Sequence, residues 1–224
     1  GTCPSVPDAP TIDAIIPGDG QMTVRVVAGA DGGAAITNLE YELDGSGTWV
    51  PLDPPTNAVA FTITGLTNGV QYRFKVAAKN HVSVGTWSDV ASATPATAPG
   101  KPLRVSARRG PGRVTLSWRR PASSGGASIT DYRILMSLDG IEWNAVDDVV
   151  SSATSSTISG LTNGQRYRFR VAAVNRTGSG AWSSSAAATP LATPGAPVDV
   201  TANPGNGRAT ITWGVPTDNG GTRI

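Results

Sequence analysis

The residues with the most chemical reach are scarce in this chain. His81 is the single histidine among 224 residues, and Cys3 is the single cysteine. One of each rules out the usual zinc ligand sets. A Ser-His-Asp arrangement would have to be built on His81, and no Gly-x-Ser-x-Gly elbow is present to expose a nucleophilic serine. His81 follows Asn80 between two strand-like segments, where an exposed polar residue is ordinary. The acidic stretches Asp44-Gly45-Ser46-Gly47 and Asp147-Asp148 lack the ligand spacing of a calcium loop and read as turns. Ser123-Ser124-Gly125-Gly126-Ala127 lacks the Lys-Ser/Thr ending of a phosphate loop. The reading is of a chain that is not an enzyme and takes no cofactor or metal.

Binding chemistry is better represented. There are six tryptophans. Trp118 and Trp213 occupy alternating positions within strand-like runs and read as core. Trp49 and Trp143 follow Asp-Gly turns, and either pack on the fold or stack on a sugar ring. The charges are uneven. Residues 1–97 carry four Lys/Arg and nine Asp/Glu, for −5, and residues 98–191 carry twelve and five, for +7. Alternation turns Arg104, Arg108, Arg113 and Arg119 outward from two strands, and Arg133, Arg166, Arg168 and Arg170 outward from another sheet. Such a surface either is simply solvated or attracts a polyanion or an acidic partner. Unlike units of neighbouring molecules could also align side by side, through contacts that weaken with salt.

Elements that position these residues emerge from an internal repeat. Gly65-Leu66-Thr67-Asn68-Gly69 returns as Gly160-Leu161-Thr162-Asn163-Gly164. Tyr72-Arg73-Phe74-Lys75-Val76-Ala77-Ala78 returns as Tyr167-Arg168-Phe169-Arg170-Val171-Ala172-Ala173. Gly112-Arg113-Val114-Thr115-Leu116-Ser117-Trp118 returns as Gly207-Arg208-Ala209-Thr210-Ile211-Thr212-Trp213. The offset is that of a whole small domain, not of a solenoid repeat. Within a unit, apolar residues alternate with polar ones, as in Val114, Leu116 and Trp118, so the runs are strands with one buried face. Gly110-Pro111-Gly112, Asp139-Gly140 and Asn163-Gly164 punctuate them as turns. Gly and Pro, at 27 and 17, interrupt every stretch that could become a long helix.

About seven short strands per unit, a core Trp on the second strand, and Leu66 with Tyr72 and Leu161 with Tyr167 at matching spacing together resemble the fibronectin type III family. The resemblance implies an all-β, immunoglobulin-like architecture of tandem seven-stranded β-sandwiches arranged as an extended rod. It also implies that each Tyr returns its hydroxyl to the backbone of the preceding turn. Residues 1–6 read as a tail, 7–95 as a first domain and 102–190 as a second. Residues 96–101 and 191–196 are Pro-rich linkers, semi-rigid and extended. Residues 197–224 are the first strands of a third domain, which either is incomplete here or lends its strands to a partner. In the first unit Val26 stands where the core Trp is expected. Phe61 is the candidate to fill that space, and the first unit is expected to be the less stable.

No run approaches the ~20 apolar residues of a membrane span. No hydrophobic signal segment is present, and Gly1-Thr2-Cys3 lacks the Gly or Ala usual before a lipidated cysteine. Cys3 is then a free thiol or pairs outside this chain. The Asn-Gly form of the corner resembles bacterial members of the family. The resemblance implies a secreted or cell-surface spacer, stalk or filament element. Its partners would be other protein chains, surface glycans or further copies, with no specific nucleic acid. Two other readings are an accessory region of a secreted polysaccharide-degrading enzyme and a phage tail or capsid decoration protein.

Overall fold

The computed structural model describes residues 3–53, 55–147 and 149–224. Gly1, Thr2, Pro54 and Asp148 lie outside the described residues, and with them parts of the Gly1-Thr2-Cys3 and Asp147-Asp148 readings. Every regular element among the described residues is a strand, paired antiparallel. The chain divides into a first unit, Gly1–Thr97 with Gly125–Ala127, and a second, Ala98–Ser124 with Ser128–Ile224.

In the first unit, β1 (Thr11–Gly18), β2 (Gln21–Val27) and β5 (Ala60–Ile63) form one sheet, in the order β1-β2-β5. The other sheet has β4 (Trp49–Pro51), β3 (Asn38–Leu43), β6 (Tyr72–Lys79) and β7 (Val84–Trp87) in that order, with β8 (Ala91–Ala93) also on β6. Between the sheets lie Met22, Val24, Val26, Leu39, Phe61, Ile63, Phe74 and Val76. Alternation along β2 puts Met22, Val24 and Val26 inward and leaves Gln21, Arg25 and Val27 exposed. Phe61 sits opposite Val24 and is buried, stacking on Tyr41 at 6.0 Å between ring centres. With Phe74 it gives aromatic bulk to a core whose second strand carries Val26 where the tryptophan would stand.

The second unit repeats this plan. One sheet is β9 (Leu103–Gly110), β10 (Arg113–Arg119) and β13 (Ser155–Ser159), with β10 central. The other has β12 (Asn144–Ala145), β11 (Asp131–Ser137), β14 (Tyr167–Asn175) and β15 (Gly178–Ser179), with β16 (Ala186–Ala188) on β14. Trp118 is in the core and meets Tyr132 edge-on at 5.2 Å. Burial pushes the Tyr132 hydroxyl above its ordinary pKa. The hairpin β17 (Val198–Gly205) and β18 (Arg208–Gly214) closes the chain as a two-stranded sheet.

The last strand of each sandwich is broken by a serine that stands in for the ladder. Ser88 N–H donates to Val76 O (2.8 Å), while Val76 N–H donates to Ser88 Oγ (3.0 Å). Ser183 makes the same pair with Val171, at 2.9 and 3.1 Å. This is why Trp-Ser recurs: the hydroxyl satisfies an amide where the strand leaves register. β7 and β8 are therefore two halves of one sandwich strand.

Trp213, expected in a core, is instead 64% exposed. Its counterpart Trp118 is covered by β11 and β14, and no strand among the described residues covers β18 in that way.

Candidate functional site

The Leu-to-Tyr spacing builds the same corner twice. Thr67 N–H donates to the Tyr72 hydroxyl (2.9 Å), and Thr162 N–H to the Tyr167 hydroxyl (3.1 Å). The Asn of each Asn-Gly turn reaches across to the first hairpin. Gly20 N–H donates to Asn68 Oδ1 and Gly112 N–H to Asn163 Oδ1, both at 2.9 Å. Asn80, beside the exposed His81, is buried. Its amide donates to Ser5 O (2.7 Å) and Asp31 O (2.9 Å), fastening the amino-terminal segment to the unit. Asn175 donates likewise to Ser124 O at 2.8 Å. An Asn before a turn carries no sign in the sequence that it will bond residues so far away.

The outer face of the β4-β3-β6-β7 sheet carries the densest chemistry of the first unit. Trp49 on β4 and Trp87 on β7 stack at 3.6 Å between ring centres with an 18° tilt, across the two strands between them. Lys75, on β6, holds its ammonium 5.0 Å from the Trp49 ring and 5.5 Å from the Trp87 ring. The same ammonium lies 2.9 Å from the buried Glu42 carboxylate, while Lys79 meets Glu40 at 3.3 Å. The bond from Lys75, and then the Gly47 N–H at 2.8 Å, holds the Glu42 carboxyl below its ordinary pKa of 4.5. Register explains the grouping, because Glu42 lies opposite both Trp49 and Lys75. One face of Trp49 is thereby occupied by Trp87, and 40% of the residue remains exposed.

The second unit keeps the cation and loses the acids. Where Glu42 faces Lys75, Leu135 faces Arg170. Arg133 takes the place of Glu40 on the strand. The Arg170 guanidinium lies 4.2 Å from the Trp143 ring centre, and Trp143 Nε1 donates to Gly140 O (3.1 Å). Trp143 is thus held as a cap on the sheet. Trp143 is half-buried, where Trp49 is 40% exposed.

The outward arginines do not form one surface. Arg108 and Arg166 come together with Arg109 around a cleft of about 450 Å3, which is completed by Ala107 and Ala187 to Thr189. None of the three has a carboxylate partner among the described residues. Arg109 was not foreseen, because alternation places it with the inward Val105 and Ala107. It is exposed near the end of β9, although it lies opposite the buried Val114, and it lines the cleft. Arg104 and Arg119 lie at a bulge where Leu103 pairs with Arg119, and Arg104 has φ 51°. Arg113 is exposed at the start of β10. Arg168 is half-buried against Gly140, on the other sheet.

Residues 97–189 match the family model described as "Fibronectin type III domain". A Kelch domain-containing protein of Saccharolobus solfataricus is 34% identical over 122 residues, 54% of this chain and 16% of that protein. Myomesin-2 of Homo sapiens is 35% identical over 153 residues, 63% of this chain and 10% of its own length. Neogenin of Rattus norvegicus is 30% identical over 183 residues, 77% and 13%. The chain therefore spans about a tenth to a sixth of these relatives. A solved chicken structure of the CNTN1 FN1–FN3 domains covers 94% of this chain and 76% of its own, at 19% identity and TM-score 0.43. The fold is all-β, with fibronectin type III-like sandwiches in tandem. No helix among the described residues is long and apolar enough to cross a membrane.

Proposed function

We propose that this chain is a non-catalytic structural and adhesive segment of an extracellular protein, a spacer or stalk that transmits tension and offers side surfaces to other protein chains. The observation that carries this reading is the way the connecting segments are held. In the first unit Gly69 N–H donates to Pro95 O (2.9 Å) and Thr97 N–H to Gly125 O (2.8 Å). In the second, Gly164 N–H donates to Pro190 O (2.9 Å) and Ala192 N–H to Gly220 O (2.8 Å). Each Pro-rich segment is a bonded part of the fold rather than a loose tether, as a load-bearing spacer requires. A further relative, named "M-protein, striated muscle" of Gallus gallus and 33% identical over 149 residues, is compatible with the mechanical part of such a role. So are the domain limits at 7–95 and 102–190 that the repeat suggests.

Stretching single molecules tests this. Residues 7–95 and 102–190 should unfold as separate events, each adding about 300 Å of contour, from ~3.3–3.6 Å per residue. A chain that yields gradually without discrete events would not serve as this spacer.

The arginine cleft favours a second reading, contact with an anionic polymer or an acidic protein surface. Arg108, Arg109 and Arg166 converge there without carboxylate partners among the described residues. Retention on a sulfated or phosphorylated polymer should fall steeply with salt, and should fall further for Arg108→Ala with Arg166→Ala. Retention unchanged by that double substitution would remove the cleft from consideration.

A further inference from the structure

Asparagine is followed by glycine at Asn68-Gly69, Asn163-Gly164, Asn206-Gly207 and Asn219-Gly220. Such a pair is chemically labile. The glycine nitrogen has no side chain beside it and, once deprotonated, attacks the asparagine Cγ. A C–N bond forms, ammonia leaves, and a five-membered succinimide remains. Water opens that ring to aspartate or, at its other carbonyl, to isoaspartate. The net change consumes one water, releases one ammonia and turns an amide into a carboxylate.

The corner of each unit imposes this pair and also restrains it. Gly69 has φ 85° and Gly164 φ 83°, in the left-handed region that favours glycine. The asparagine is needed for its Oδ1, which takes the N–H of Gly20 or Gly112 at 2.9 Å. These bonds tie down both reacting groups. The nucleophile, the Gly69 or Gly164 N–H, donates to Pro95 O or Pro190 O, each at 2.9 Å. The electrophile, the asparagine amide, is fastened to the first hairpin. Ring closure requires both bonds to be given up, so the corner has to open first. Asn206-Gly207 is exposed, and among the described residues neither member bonds another element.

The two units differ in what a product would meet. Asn68 Nδ2 also donates to the Asp19 carboxylate, at 2.6 Å. A carboxylate at position 68 would lose that donor and face Asp19 as a like charge. In the second unit Pro111 stands where Asp19 stands. A carboxylate at position 163 would keep its role as acceptor for Gly112 and meet no acid at that place.

We propose that Asn68 and Asn163 are fold-gated modification sites, where nonenzymatic deamidation is shut off by the closed corner and proceeds while the unit is unfolded. Heat, denaturant or load opens the gate alike. Conversion to aspartate then weakens the first unit and largely spares the second. Isoaspartate, which adds a methylene to the backbone of the turn, disrupts either corner. A unit held open for long therefore keeps a lasting mark of it.

The test incubates the full chain at mildly alkaline pH, in native buffer and in urea that unfolds both units. Peptide mapping by mass spectrometry follows the amide-to-acid change at each pair, and Asn206 reports what urea does to an open one. Urea should speed deamidation at Asn68 and Asn163 roughly tenfold or more relative to its effect at Asn206. If urea changes the three rates alike, the gate is overturned. Calorimetry on the full chain reads the difference between the units. Asn68→Asp should lower the first transition by about 5 °C at neutral pH, and Asn163→Asp should lower the second by much less. Adding Asp19→Asn to Asn68→Asp should recover most of that loss. Equal shifts for the two single variants, or no recovery with Asp19→Asn, would refute the unit-specific damage.

Discussion

In the second unit the largest core side chain is on the second strand: Trp118 meets Tyr132, and Ser156 lies opposite Leu116 on the neighbouring strand. In the first unit the second strand offers Val26, Leu39 takes the place of Tyr132, and Phe61 lies opposite Val24 where the serine would be. The aromatic bulk has moved one strand sideways while the backbone register is unchanged. A sandwich core has to be filled to crystal-like density, but which strand supplies the volume is free to vary. The outer faces differ by a parallel exchange. The first unit neutralises its lysines with Glu40 and Glu42, and the second replaces both acids, keeping one cation as Arg170 and carrying Val174 where Lys79 stands. The charge asymmetry of the chain therefore arises partly at matched positions on one strand, rather than through an added acidic or basic tail.

Four experiments can break or sharpen this comparison, each on the full chain with the two transitions resolved by calorimetry or hydrogen exchange. The largest effect is expected from Trp118→Ala and Phe61→Ala, each costing its own unit about 3–5 kcal/mol and leaving the other unmoved. A small effect of Phe61→Ala would mean that this ring does not replace the tryptophan. Next, Val26→Trp should overpack the first unit by about 1–3 kcal/mol, and adding Phe61→Ser should restore much of that loss. Simple additivity of the two substitutions would refute the sideways exchange. Third, Tyr72→Phe and Tyr167→Phe should each cost about 1 kcal/mol, one hydrogen bond's net worth, and by similar amounts because the corner is the same in both units.

The smallest effect concerns pH. Glu42 has its folded pKa lowered by Lys75 and Gly47. Asp139, in the second unit, is lowered by the Ile141 N–H, the Ser137 hydroxyl and the Glu142 N–H. A lowered carboxyl favours the folded state above its unfolded value. That contribution fades as pH falls from about 4.5 for Glu42, or about 3.8 for Asp139, toward the folded value. Glu42→Gln should flatten the acid dependence of the first transition only, and Asp139→Asn that of the second only. If Glu42→Gln leaves the first acid slope intact, the Lys75 pair contributes nothing to it. In the unmodified chain the second transition is expected above the first, although Phe61 narrows the gap that Val26 alone would open.

Much of this protein was legible as a string of residues. Alternation in β10 and β14, the turn residues between strands, the Leu-to-Tyr spacing of the corner and the repeat itself all depend on neighbours a few positions apart. The backbone's period of two and the conformations open to Gly and Asn decide them locally. Even Phe61 could be nominated, since a missing tryptophan demands volume from somewhere nearby. Tertiary structure alone decided the rest. Trp49 and Trp87 stack because sheet order brings β4 and β7 over the same two strands. Asn80 reaches Ser5, Arg109 escapes the core at a strand end, and Trp213 is left bare by what does not cover it. Those outcomes depend on which strands lie side by side and where each one stops. A side chain's alternating position says which way it points and not what it will meet.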